Sequence, residues 1–242
     1  MPLVILLHGY GSFGEEAEAY MKLRPLADSR GFLYATPDGT LDSASKRFWE
    51  GTDACCDLFA AGVDDSTYLS NLITQIEARY SVDAKRVYLI GHSNGAFMSF
   101  RMACDHSEQI AAVATLAGAM FQDVAKCKDT QPVGVLHIHS DVDTQNEYGG
   151  GTIVAQYPGA VTSVNDWVAF DGCTTTADTT AAPLDLDQAV SGAETTVTRY
   201  ETGCKPGGGA TLWTMHGSDH VPKLTPAFAP AVIDYLFAHA KP

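Results

Sequence analysis

Ser93 lies at the centre of Gly91-His92-Ser93-Asn94-Gly95, a G-x-S-x-G pattern whose residue types suit attack on a carbonyl carbon. A serine hydroxyl is a weak nucleophile near neutral pH, so it needs a histidine to take its proton and an acid to fix that histidine's tautomer. Two acids stand close together downstream, Asp141 and Asp143, and two histidines follow them, His216 and His220. The order serine, acid, histidine is the one this motif requires. The flanking glycines have a physical reason: a sharp strand-to-helix turn leaves no room for side chains at Gly91 and Gly95. The helix behind the serine turns its positive end, and the backbone N–H of Asn94, toward a developing oxyanion. The N–H of Tyr10, in the loop His8-Gly9-Tyr10-Gly11-Ser12, is the expected second donor.

Local pattern favours one member of each pair. His137-Ile138-His139-Ser140-Asp141-Val142-Asp143 is similar to a strand end H-G-x-x-D, with Ser140 in the glycine place, and this favours Asp143 as the acid. His216-Gly217-Ser218-Asp219-His220-Val221-Pro222 is similar to a base-presenting loop G-x-x-H-x-x-P, which favours His220 and leaves His216 a structural role. His8 is expected to hydrogen-bond locally, and His106, His137, His139 and His239 to be satisfied strand or helix residues. His92 reads as a packing residue inside the turn and, with Trp49, is a candidate substrate-binding residue. Trp49, with Phe48 and Tyr10, could wall a pocket for an acyl or phenolic group.

Other patterns fail on inspection. Asp141-Val142-Asp143 begins like a calcium loop, but Asn146 and Thr152 occupy the places that need Gly and Glu. Gly207-Gly208-Gly209 lacks the Lys-Ser/Thr of a phosphate loop and reads as a flexible turn. The six cysteines show no zinc spacing. Neither a metal nor a cofactor is expected.

The elements that must position these residues follow from periodicity. The continuously apolar run 3–7 reads as a strand buried on both faces, 86–90 as a further short buried strand, and 32–35, 110–116 and 133–138 as strands. Helical patterns fall at 15–29, 64–80, 95–106, 161–170 and 226–240, and further strands at 195–200 and 210–215. Strand and helix alternating at this spacing imply right-handed crossovers and a three-layer α/β domain, mostly parallel sheet with helices on both faces. The segment 36–62 has no clear period, as expected of a stretch that is functional, stapled or both. No repeat or linker divides the chain, so 1–242 is expected to form one catalytic domain.

Composition narrows the partners. The 242 residues are 45% hydrophobic and 18% charged, enough for a large core, and 29 acidic against 15 basic residues give a net charge of −14. That charge would repel a nucleic-acid backbone or an anionic membrane surface, and favours neutral substrates. No stretch approaches the ~20 apolar residues of a bilayer span. An even number of cysteines points to disulfides, with Cys173 paired to Cys204 across a soft Thr-rich loop. Export to an oxidising compartment is expected, with any leader removed ahead of Met1.

Four stretches carry a resemblance. Leu6-Leu7-His8-Gly9-Tyr10-Gly11-Ser12 comes first, followed by Arg47-Phe48-Trp49-Glu50 with Asp53-Ala54-Cys55-Cys56. Arg86-Val87-Tyr88 then leads into Gly91-His92-Ser93-Asn94-Gly95-Ala96, and His137-Ile138-His139 leads to Tyr148-Gly149-Gly150. In that order they resemble the secreted esterases described as polyhydroxybutyrate depolymerase-like, a group that includes feruloyl and acetylxylan esterases. The resemblance implies an α/β-hydrolase fold and serine-esterase chemistry. Ser93, Asp143 and His220 would be the triad, and Tyr10 and Asn94 the oxyanion donors. The expected substrate is a hydroxycinnamoyl or related plant-wall ester, then a polyhydroxyalkanoate or other polyester, then an acetylated polysaccharide. The expected state is a monomer acting on a small or polymeric ester. A non-catalytic binding protein on the same scaffold is the alternative from another class. The sequence departs from the group's pattern at Ser140-Asp141, Glu147-Tyr148 and Ser218-Asp219, around the acid and the base.

Overall fold

The computed structural model describes residues 1–128 and 131–242. Leu3, Val4, Ile5, Leu6 and Leu7 form β1 (Leu3–Leu7), buried along its whole length. Its side chains alternate between two apolar layers: Leu3, Ile5 and Leu7 join one cluster and Val4 and Leu6 the other. A continuous apolar run is therefore what a strand covered on both faces requires.

After β1 the chain runs through α1 (Gly14–Met21), α2 (Arg24–Arg30), β2 (Leu33–Ala35), β3 (Thr40–Leu41), β4 (Arg47–Phe48) and α3 (Asp65–Arg79). Next come β5 (Val87–His92), α4 (Asn94–Asp105), β6 (Ala112–Leu116) and β7 (Gly134–Ser140). The remainder is β8 (Gly150–Thr152), β9 (Gln156–Pro158), α5 (Ala160–Phe170), β10 (Thr195–Tyr200), β11 (Gly209–Met215) and α6 (Phe228–Ala238). Seven strands form one sheet in the order β10-β11-β7-β6-β5-β1-β2. All neighbours are parallel except β10 and β11, which are consecutive in the chain and pair antiparallel. Leu69 and Ile73 of α3, Met98 and Phe100 of α4 and Val164 and Trp167 of α5 cover one face. Met21 of α1 and Val232, Ile233 and Leu236 of α6 cover the other. No helix among the described residues is long and apolar enough to cross a membrane.

One predicted helix is two. In place of a continuous helix over 15–29, the chain breaks at Lys22, which adopts φ 56°. The carboxylate of buried Glu18 accepts the N–H groups of Leu23 (3.2 Å) and Arg24 (3.0 Å), donors that open α2, and also the Tyr34 hydroxyl (2.6 Å). Pro25 sits in the first turn of α2, where its missing N–H costs nothing. An internal cap thus replaces the helical bonds that the 3.6-residue period alone would have continued.

Three disulfides join Cys55 to Cys56, Cys104 to Cys127 and Cys173 to Cys204, the last as expected. Disulfides persist in oxidising compartments, so the cysteine usage fits an extracellular protein.

Candidate active site

Ser93 occupies the sharp turn between β5 and α4 with φ 55° and ψ −119°, a left-handed backbone that non-glycine residues rarely adopt. Its neighbours are glycines for a steric reason. A Cβ on Gly91 would stand 2.1 Å from the Gly95 carbonyl oxygen, and one on Gly95 would stand 2.2 Å from that of Leu7. Gly91 can therefore pack against α4, and Gly95 against β1, only without a side chain.

The strand ends bring the other groups to Ser93. His220 Nε2 lies 3.0 Å from Ser93 Oγ, and His220 Nδ1 lies 2.7 Å from Asp143 Oδ2. The Nδ1–H donates to the carboxylate, which leaves Nε2 unprotonated to accept the serine proton; this tautomer follows from the hydrogen-bond network. Asp143 Oδ1 accepts the N–H groups of Gln145 (2.8 Å) and Asn146 (3.0 Å). Burial works against its charge, but His139, His220 and the Asn146 N–H outweigh that penalty and hold the carboxyl below the usual range. Asp143 is an anion across the neutral range.

Asp141 and His216 form a separate pair, Oδ2 to Nδ1 at 2.7 Å, with side chains 34% and 49% exposed. Asp141 also accepts the Gly217 N–H at 2.9 Å, so the pair braces the loop that carries His220. Ser140 adds a second brace: its hydroxyl donates to the Ser218 carbonyl at 2.5 Å and accepts the Val142 N–H at 3.2 Å. A glycine at this position would leave the loops that carry Asp143 and His220 without that tie.

The remaining histidines fall into place individually. His8 Nδ1–H donates to the Gly9 carbonyl (2.8 Å) while Nε2 accepts the Gly39 N–H (2.9 Å), the local role expected of it. His92 Nε2–H donates to the His220 carbonyl at 3.0 Å, its ring lies between those of Tyr20 and His220, and it borders the cleft. Desolvation pushes the His92 pKa down to about 4, and burial also lowers those of His8 and His137.

The sign of the resulting pH effect is fixed. The unfolded chain takes up these protons first, below an ordinary histidine value of about 6.5, so folding stability is complete above that pH and is lost as pH falls. Asp143, depressed in the fold, adds to the loss at lower pH. The urea midpoint is expected to decline steadily from about pH 6.5 to about pH 4. A midpoint that stays flat over that window would contradict these environments.

A cavity of about 450 Å³ opens beside Ser93 and His220, bordered also by Tyr10, His92 and Gln145 and by the α1 side chains Glu16, Ala17, Tyr20 and Met21. A larger cavity, about 580 Å³, lies against Glu50, Asp53 and Arg101 and touches none of Ser93, His220 or Asp143. Of the two, the smaller one borders Ser93 and His220. Among the described residues no acceptor is paired with the backbone N–H of Tyr10 or of Asn94, the two expected oxyanion donors.

Trp49 does not line this cavity, and the expectation for it is corrected. The side chain is fully buried, donates from Nε1 to the His8 carbonyl at 3.1 Å and stacks on Tyr68. Its segment is drawn inward by α4: the Asn94 side chain accepts the Trp49 N–H (2.7 Å) and donates to the Trp49 carbonyl (2.8 Å). Arg101 reinforces the same clamp by donating to the Glu50 carbonyl at 2.8 Å. Phe48 is buried as well, which leaves Tyr10 as the one member of the expected aromatic wall that borders the cavity. The α1 contribution is the part sequence reasoning missed; the i, i+4 pair Ser12 and Glu16, beside the Gly-rich loop, was its available signal.

Comparison with known proteins follows the same lines. The family model described as "Esterase PHB depolymerase" matches residues 1–186. Feruloyl esterase B of Piromyces equi is 28% identical over 72% of this chain and 33% of its own length. Feruloyl esterase D of Neurospora crassa is 26% identical over 84% of this chain and 58% of its own. The chain thus spans less than two thirds of either relative. Among solved structures, an acetyl xylan esterase from Aspergillus awamori superposes with a TM-score of 0.67 at 16% identity, covering 98% of this chain and 88% of that one. Esterase PE8 superposes with a TM-score of 0.63 at 17% identity, covering 98% and 92%. At these identities the likeness is one of fold, and the fold is that of the α/β hydrolases.

Proposed function

Because the chain belongs to the Esterase PHB depolymerase family, we propose that it is an exported serine carboxylesterase whose main substrates are hydroxycinnamoyl esters of the feruloyl type. The observation that carries this reading is the hydrogen-bonded line Ser93, His220, Asp143 at the edge of a cavity of about 450 Å³. Feruloyl esterases among the relatives favour the acyl class.

Beyond the ester and water, the proposed chemistry draws on this chain's own side chains and backbone N–H groups. Ser93 Oγ attacks the ester carbonyl carbon while its proton passes to His220 Nε2, and Asp143 stabilises the imidazolium that forms. The carbonyl oxygen becomes an oxyanion held by the N–H groups of Tyr10 and Asn94. Collapse of the tetrahedral adduct breaks the bond to the alcohol, which leaves with the proton from His220. Water then gives a proton to His220 and attacks the acyl group, and Ser93 departs reprotonated as the free acid is released.

The test compares initial rates on methyl ferulate and p-nitrophenyl butyrate, with Ser93→Ala as the blank. Ferulate turnover well above that blank, and preferred by kcat/KM, is the expected result. Rapid butyrate turnover without ferulate cleavage would shift the reading to short aliphatic acyl groups, and polyester films would be the next substrate. A folded protein that neither turns over an ester nor reacts with a fluorophosphonate would instead be a binding protein.

A further inference from the structure

We infer that His139 is a positioning residue of the proposed reaction: its ring N–H, oriented by a buried chain through His137 and Thr115, holds the Asp143 carboxylate against His220. The inference rests on the esterase reading above. His137 and His139 stand two residues apart on β7 and so share a face. They are 0% and 1% exposed, where an unpaired ring nitrogen would be costly. The acceptors at one end of the chain set its direction. His139 Nε2 lies 2.7 Å from the Asn146 carbonyl oxygen and 3.4 Å from Asp143 Oδ2. Neither oxygen can donate, so Nε2 carries the ring hydrogen and Nδ1 accepts. Burial holds His137 neutral; its Nε2–H donates to His139 Nδ1 at 3.2 Å, and its Nδ1 accepts the Thr115 hydroxyl at 2.8 Å. Every ring nitrogen of the two histidines is then paired.

The chain ends on the acid and on its loop. Asp143 Oδ2 is the oxygen that faces His220 Nδ1 at 2.7 Å, and the His139 N–H lies against that same oxygen. The Asn146 carbonyl that His139 holds belongs to the residue whose N–H reaches Asp143 Oδ1 at 3.0 Å and whose side chain donates to the Ala117 carbonyl at 2.6 Å. Burial opposes the Asp143 charge, and His139 is among the groups that offset it. Without this N–H the carboxylate and its loop lose a tie that keeps Oδ2 in line with His220 and Ser93. Neither His137 nor His139 borders the cavity, so the loss falls on turnover and spares substrate binding.

Two variants and one spectrum test this role. His139→Leu, which removes the N–H at similar bulk, is expected to lower kcat on p-nitrophenyl butyrate by about 10- to 100-fold with KM within about twofold of wild type. His139→Gln puts an amide N–H where Nε2 stood and is expected to restore kcat to within about fivefold of wild type. Urea midpoints confirm that each variant is folded under the assay conditions. In nitrogen NMR of the wild type, the His139 ring, assigned by its loss in His139→Gln, is expected to carry its hydrogen on Nε2 and none on Nδ1. A wild-type kcat in His139→Leu, an equal loss in both variants, or a hydrogen on Nδ1 overturns the role of His139 and leaves the esterase reading standing. If His139→Leu does not fold, the spectrum and the His139→Gln rate decide the matter. A folded wild type that neither turns over the ester nor reacts with a fluorophosphonate overturns the esterase reading and this inference together.

Discussion

Ser93→Ala is expected to lose on the order of 10⁶ in kcat on p-nitrophenyl butyrate, because the proposed mechanism then loses its nucleophile and keeps only binding and oxyanion stabilisation. Folding should survive the change. The Ser93 N–H donates to the Leu116 carbonyl at 2.8 Å and the Ser93 carbonyl accepts from Ala96 and Phe97, all through the backbone. What alanine removes is the Oγ that faces His220 at 3.0 Å. The left-handed φ of 55° remains a strain that alanine bears as serine does. Steady-state rates, with circular dichroism to confirm the fold, decide the matter. A variant that retains more than about a hundredth of the wild-type rate would mean that another group carries the attack, and would remove Ser93 from the mechanism.

The parts of this geometry that were legible in the sequence are those fixed by short-range constraint. Gly91 and Gly95 are legible because no other residue fits where a Cβ would lie within 2.2 Å of a carbonyl oxygen. The central strands β1, β5, β6 and β7 were legible because they are buried on both faces and so read as largely apolar runs, β1 most plainly. His220 and Asp143 were preferred by loop pattern, and the structure brings this pair to Ser93 while setting Asp141 with His216 apart. Trp49 was misplaced for the opposite reason. An aromatic in an irregular segment has no period to say which way it faces, and its direction is set by Asn94, distant in sequence. The same holds for α1 and α2, where a side chain from within the first helix, Glu18, ends one helix and caps the next. Such long-range or side-chain-to-backbone bonds leave no periodic trace, and in this chain they decide what borders the cavity.

Asp143→Asn is expected to cost about 10⁴ in kcat, and Asp141→Asn less than about tenfold. The difference lies in which histidine each acid holds. An asparagine at 143 can turn its amide N–H toward His220 Nδ1, which then accepts instead of donating; the ring proton moves to Nε2, and the base that faces Ser93 is lost. The protein gives the acid no freedom to adjust, since its side chain is fully buried and its other oxygen is bound to the Gln145 and Asn146 N–H groups. At 141 the partner is His216, half exposed, and neither residue borders the cavity. Asparagine there keeps an acceptor for the Gly217 N–H and disturbs only a brace of the His220 loop. Both variants are compared by kcat on p-nitrophenyl butyrate, with urea midpoints to separate lost chemistry from lost folding. Equal losses, or a larger loss at 141, would reassign the acid and make His216 the candidate base.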